Sequence, residues 1–199
     1  GVMAESSRMA ILTAIELRIA FHAQGAAIVQ KKNLREQRRS KRGTGGKVML
    51  HNPKYGWAKI KIGDFEDRCS YIQNVPVQLL KALDHSIRTY ETSVVSIDAE
   101  GYEYIIVFDQ FNTHIIMEDA EVDQYSLKTI NIRYRELARE LIEDIRRDLD
   151  EWARWMDYDT MPENEQTERA RELVFKCEIL EGRLDYLEGK PNAKAARQE

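Results

Sequence analysis

The chain has 199 residues, 43% apolar and 32% charged, with a formal net charge of −4, which places it among globular proteins large enough to bury a core without staples. Its two cysteines, Cys69 and Cys177, stand far apart; they exclude a disulfide framework and a CxxC metal or redox pair, and fit reduced thiols in a cytoplasm. The charge is unevenly held, with ten Lys/Arg against three Asp/Glu in residues 1–50 and twenty against thirty-one in residues 51–199.

Ser6 or Ser7 caps a predicted helix that runs to about Gln30. Leu12, Ile15, Ile19, Ala23, Ala26 and Val29 recur at threes and fours, and Ile11, Phe21 and Ile28 widen the stripe beyond one face. Such a helix needs burial on more than one side, either between the body and another helix or against its copy in a second chain, and a homodimer through this segment is expected. It is not a membrane span. Glu16 and Arg18 lie within it, and each charge at a helix centre costs about 3 kcal/mol on insertion. No signal-peptide pattern is visible, and the expected location is cytoplasmic.

Residues 31–47 read KKNLREQRRSKRGTGGK, with eight Lys/Arg opposed only by Glu36. Lys31, Lys32, Arg35, Arg38, Arg39, Lys41 and Arg42 form the candidate nucleic-acid-binding set, because cations that neutralise phosphates release counterions. Arg35, Arg38, Arg39 and Arg42 would share one face of a continued helix. The competing reading is a solvated face, or one that pairs with the chain's own acidic surface. The run lacks interleaved aromatics for base stacking. Its glycines do not make a phosphate loop: Lys41 stands where the first glycine belongs, and Val48 follows Gly46-Lys47.

The period then changes. Ala58, Ile60 and Ile62 alternate with Lys59 and Lys61, a half-buried strand, and a second strand is read over residues 68–73. Asn74-Val75-Pro76 starts a short helix with Leu79, Leu80, Leu83 and Ile87 on one face. Residues 93–98, 102–108 and 112–117 read as three further strands, giving ββαβββ. From Ser126 to Met156 apolar residues recur at threes and fours and predict one long helix. A second helix follows Pro162, with Thr160 and Glu163 spaced as a capping box. It carries Leu173, Cys177, Leu180, Leu184 and Leu187 and ends at Gly189 and Pro191.

The expected architecture is therefore α+β, a small antiparallel sheet with an N-terminal helix and a long C-terminal antiparallel helical hairpin. The segments are read as 1–47 for the N-terminal helix and basic run, 48–122 for the sheet core, 123–190 for the hairpin and 191–199 for a disordered tail.

Chemistry is hard to find. Asp98, Glu100, Glu103 and Asp109 crowd the central hairpin, with Asp98 and Glu100 the first candidates for a metal. No lysine stands between Lys81 and Lys128 to poise a metal-bound water. The four histidines have no metal-ligand spacing. His114 lies in a strand and could meet a cross-strand acid. No GxSxG elbow exposes Ser70 or Ser96. No cofactor, metal or catalytic residue is assigned. The expected function is a non-enzymatic interaction protein, an inhibitor or accessory factor acting on nucleic-acid machinery. Its partner is expected to be a protein, met through Trp155, Asp148, Glu151 and Tyr158; the competing readings are core packing for Trp155 and an ordinary solvated face for the acids. Direct nucleic-acid binding through residues 31–47 is the alternative. A small hydrolase, needing His114 or Asp98 beside a second titratable group, is more remote.

Overall fold

A computed structural model of the chain describes residues 49–119, 124–157 and 161–190. All of them belong to one compact unit, residues 47–199. The fold is α+β, and the described residues form two antiparallel sheets of three and four strands and four helices.

The first sheet has the order β1-β2-β3, from β1 (Leu50–Lys54), β2 (Trp57–Ile62) and β3 (Phe65–Ser70). Alternation sets its two faces. Leu50, Ala58, Ile60, Ile62, Phe65 and Cys69 are buried, while Lys59, Lys61, Glu66 and Arg68 point to solvent. Gly63, at φ +61°, makes the β2–β3 turn where a Cβ would lie 2.9 Å from Ile130 Cγ2. The missing side chain thus serves both the backbone twist and the close approach.

Helix α1 (Val75–Thr89) follows, with Pro76 in its first turn. The second sheet has the order β4-β5-β6-β7, from β4 (Ser93–Asp98), β5 (Glu103–Phe108), β6 (Thr113–Asp119) and β7 (Gln124–Ile130). Its inner face presents Val95, Ile97, Tyr104, Ile106, Phe108 and Ile115 to the core. The two sheets meet where the Phe65 and Tyr104 rings pack edge-on at 5.4 Å. There the Tyr104 hydroxyl donates to the Arg68 carbonyl at 3.0 Å.

Helices α2 (Tyr134–Arg147), α3 (Leu149–Arg154) and α4 (Glu163–Leu187) complete the unit, with one 3-10 turn at Trp155–Asp157. α1 packs on β4, β5, α2 and α4, and α2 and α3 pack on β1 and α4. Arg139 of α2 meets Asp185 of α4 at 2.6 Å, and Arg146 grips Glu181 with two bonds of 2.9 and 2.7 Å. Rising numbers on α2 against falling numbers on α4 make the pair antiparallel.

The expected single sheet is two sheets, the strand expected over residues 68–73 runs over Phe65–Ser70, and four further details depart from the sequence reading. The helix expected from Ser126 begins at Tyr134, and Gln124–Ile130 is strand β7. Tyr125, Leu127 and Thr129 alternate with Ser126, Lys128 and Ile130, and β6 offers a complete ladder from Thr113↔Ile130 to Asp119↔Gln124. Strand pairing therefore prevails over a helical period that Ile130 also satisfied. The long helix also divides at Asp148. Strand β1 went unread because Asn52 (φ 56°) and Pro53 interrupt alternation inside it. At the start of α4 the cap position is Pro162, with no side-chain cap bond; Thr160 lies outside the described residues, as do the segment to about residue 30 where a helix is expected and residues 191–199.

Candidate functional site

Asp144 is the best-held polar group of the unit. It lies in the last turn of α2, 2% exposed. One carboxylate oxygen, Oδ2, accepts the backbone N–H groups of Met49 at 2.7 Å and Leu50 at 2.9 Å. The other accepts Arg147 Nη1 at 2.8 Å. A carboxylate in the interior is tolerable only when its lone pairs are filled and its charge is matched. Here three donors do both, and the start of β1 is fastened to the end of α2.

Arg147 extends the arrangement. Its Nε and Nη2 donate to Asp148 Oδ2 at 3.0 and 2.9 Å. Bonds to Asp148 and then to Asp144 hold its guanidinium above the ordinary arginine value, against the opposing effect of burial. Asp148 leaves helical geometry (φ −114°, ψ 34°), and its carbonyl accepts the N–H groups of Glu151 and Trp152 to start α3.

Facing this helix junction is the irregular part of β1. The β1–β2 register slips between His51 and Lys54, with Asn52 in the left-handed region. An extra residue in one strand bends it out of the ladder. The bulge and the junction enclose an open groove of about 580 Å³, with His51 to Lys54 on one wall and Arg147, Asp148 and Glu151 on the other.

Asp148 and Glu151, two expected partner contacts, therefore stand together on this groove. The third, Trp155, does not take a surface position. It is 2% exposed, packs on Trp152 with ring centroids 5.0 Å apart, and donates its indole N–H to the Gln73 carbonyl at 2.8 Å. It stands three residues after the buried Trp152, a spacing that puts both rings on one face of the helix and carries both into the core. Tyr158 and the basic set Lys31, Lys32, Arg35, Arg38, Arg39, Lys41 and Arg42 lie outside the described residues. Reading the sequence missed His51, Lys54 and Arg147, and it placed Asp144 in a row of surface acids with Asp148 and Glu151, whereas its carboxylate is buried. The adjacent Arg147-Asp148 pair was the one available signal; the rest depends on a bulge in an unread strand.

His114 does meet an acid. Its Nε2 lies 2.9 Å from Asp109 Oδ2, and its Nδ1 lies 2.9 Å from Thr129 Oγ1. Asp109 Oδ1 also accepts the N–H groups of Phe111 and Asn112 at 2.6 Å each. Burial alone would raise the Asp109 carboxyl; His114 and these two N–H groups outweigh it and hold it below the usual range. The chain Thr–His–Asp has the order of a nucleophile, a base and an orienting acid. Yet Thr129 is paired with His114 within the β6–β7 ladder. The N–H groups around it lie in the sheet plane, perpendicular to its side chain, so the ladder supplies no oxyanion donors above the hydroxyl. The array staples the β5–β6 turn to β6 and β7.

The thiols are buried, and burial pushes Cys69 up to about 12 and Cys177 up to about 11, away from nucleophilic thiolate. Among the described residues no group of three or more His, Cys, Asp or Glu is placed to hold a metal ion. Asp98 instead pairs across the hairpin with Glu103, its N–H bonded to Gln73, and Glu100 accepts the Ser70 hydroxyl. No helix among the described residues is long and apolar enough to cross a membrane. Comparison of the chain with protein-family models, with curated proteins and with solved structures finds no match.

Proposed function

We propose that the chain is a non-enzymatic interaction protein whose partner is another protein, met at the groove between the β1 bulge and the α2–α3 junction. The observation that carries this reading is the mixed charge of the groove: Lys54 on one wall, and on the other Glu151 beside the ion pair of Arg147 and Asp148. An open surface with both signs of charge suits a polypeptide carrying both, and complementary charge sets register and partner choice more than raw affinity. Asp144 contributes by keeping the two walls in a fixed relation, which lowers the ordering cost of binding. The work expected of such a protein is to occlude or scaffold its partner, as an inhibitor or accessory factor of nucleic-acid machinery would.

The test is affinity capture from the native host with the wild-type chain, Glu151→Lys and Lys54→Glu, both exposed positions. A protein retained by the wild type and lost from both variants supports the reading. A protein retained equally by all three, or none retained by the wild type, refutes it.

A further inference from the structure

The outer face of the three-stranded sheet carries a different chemistry from the groove, and of the residues argued from below only Lys54 also lines that groove. Residues 51–199 are acidic in balance, but this face is not. Lys59 and Arg68 are register partners, with Lys61 two residues along the same strand. Glu66 answers part of this charge, at 2.7 Å from Lys59 and 3.9 Å from Lys61. Aromatic rings are set among the cations. The Arg68 guanidinium lies between two of them, 5.1 Å from the centroid of Trp57 and 5.5 Å from that of Tyr102. Tyr55, in the β1–β2 turn, is 70% exposed, with the Lys54 ammonium 5.0 Å from its ring. Tyr102 is held in place by its hydroxyl, which donates to Asp67, and by the Arg68 bond to the neighbouring Glu100 carbonyl.

We infer that this face binds single-stranded nucleic acid, with bases against Tyr55 and Tyr102 and phosphates along Lys54, Lys59 and Lys61. Cations alone would suit any polyanion. The rings narrow the choice, because a duplex hides its base faces in its own stack, while a single strand offers them to aromatic side chains. Two- or three-base stacking on a short sheet flanked by lysines is a recurrent way of holding a strand without reading its sequence. Six residues of strand at about 3.3 Å each span roughly 20 Å, room for about three nucleotides. This site is separate from residues 31–47 in both sequence and chemistry: the basic run has the charge without the rings. It shares Lys54 with the protein-binding groove but uses neither Glu151 nor Asp148, so Glu151→Lys tests that reading and leaves this one untouched.

The experiment titrates labelled oligo-dT and oligo-U of about ten nucleotides, and a duplex of equal length, by fluorescence anisotropy at roughly 50 and 200 mM salt. The protein is the full chain carrying Arg35→Ala, Arg38→Ala, Arg39→Ala and Arg42→Ala, so that the basic run contributes least. Single strands are expected to bind more tightly than the duplex. Three phosphates neutralised give a log–log salt slope of roughly −2. Adding Tyr55→Ala or Tyr102→Ala weakens binding about 5- to 100-fold for each ring. Tyr102→Phe, which keeps the ring and its Arg68 contact but gives up the bond to Asp67, loses less than Tyr102→Ala. Lys59→Ala with Lys61→Ala, both exposed, flattens the salt slope without changing the thermal midpoint. Absence of single-strand binding in this parent, a preference for the duplex, or indifference to both ring deletions overturns the inference.

Discussion

Asp144 gives the account its sharpest energetic test. Replacing it with Ala leaves the buried N–H groups of Met49 and Leu50 without their acceptor and Arg147 without its interior partner. Each orphaned buried donor costs about 1–3 kcal/mol. Arg147 keeps Asp148 at 2.9 Å, so its loss is partial. The total comes to about 3–5 kcal/mol, the usual cost of breaking a buried, hydrogen-bonded charge. For a chain of this size that lowers the thermal midpoint by roughly 6–20 °C. Asp144→Asn separates the contributions. Its carbonyl oxygen can still accept both backbone N–H groups, but its amide then faces the Arg147 guanidinium donor to donor. The expected cost is about 1.5–3 kcal/mol, that of one bond to a charged group. Thermal and urea unfolding followed by circular dichroism measure both. An Ala variant within about 1 kcal/mol of wild type, or an Asn variant as damaged as Ala, would refute the reasoning.

Two glycines should respond oppositely to the same substitution. Gly63→Ala places a methyl 2.9 Å from Ile130 Cγ2 at φ +61° and should destabilise by more than about 1 kcal/mol; Gly182→Ala, inside α4 with open space around it, should stabilise by about 0.5–1 kcal/mol. Urea midpoints of the two variants decide this, and equal signs would count against it. Asp109→Asn should remove stability that depends on pH. The folded carboxyl is held low, so its contribution is fully present above the unfolded value of about 4 and is lost as pH falls through the folded value. The gap between wild type and variant should therefore close on acidification, and a gap that widens below about pH 4 contradicts the assignment. Cys69 and Cys177 should resist alkylation by iodoacetamide at neutral pH in the native chain and react once it is unfolded; rapid native labelling of either would contradict their burial.

What could be read from sequence follows the strength of the period. Lys59 and Lys61 alternating with Ala58, Ile60 and Ile62, and the Leu79–Leu83–Ile87 face, announce β2 and α1 because one face of each is buried and the other is not. Residues 126–132 satisfy helix and strand patterns alike, and only the presence of β6 decides between them. Asp148 ends α2 through the bonds of Arg147 and the capping role of its own carbonyl, contacts that no apolar period records. The candidate groove was half legible. Asp148 and Glu151 stand out as acids on a helix that also carries aromatics, whereas His51 and Lys54 come from a bulged strand with no alternation to betray it. Of the two readings open for Trp155, partner anchor or core, its three-residue spacing from Trp152 favours the core, where both rings lie. Tyr102 and Trp57 are forty-five positions apart, and their shared hold on Arg68 exists only once the β4–β5 hairpin lies beside β3.

The central claim is that a protein partner is met at the groove. Hydrogen–deuterium exchange on the complex with the captured partner tests it most directly. Slowed exchange in peptides covering residues 51–54 and 147–151, with the outer face of the four-stranded sheet unchanged, is the result expected. Unchanged exchange in both groove walls, with protection confined to other surfaces, would contradict the account.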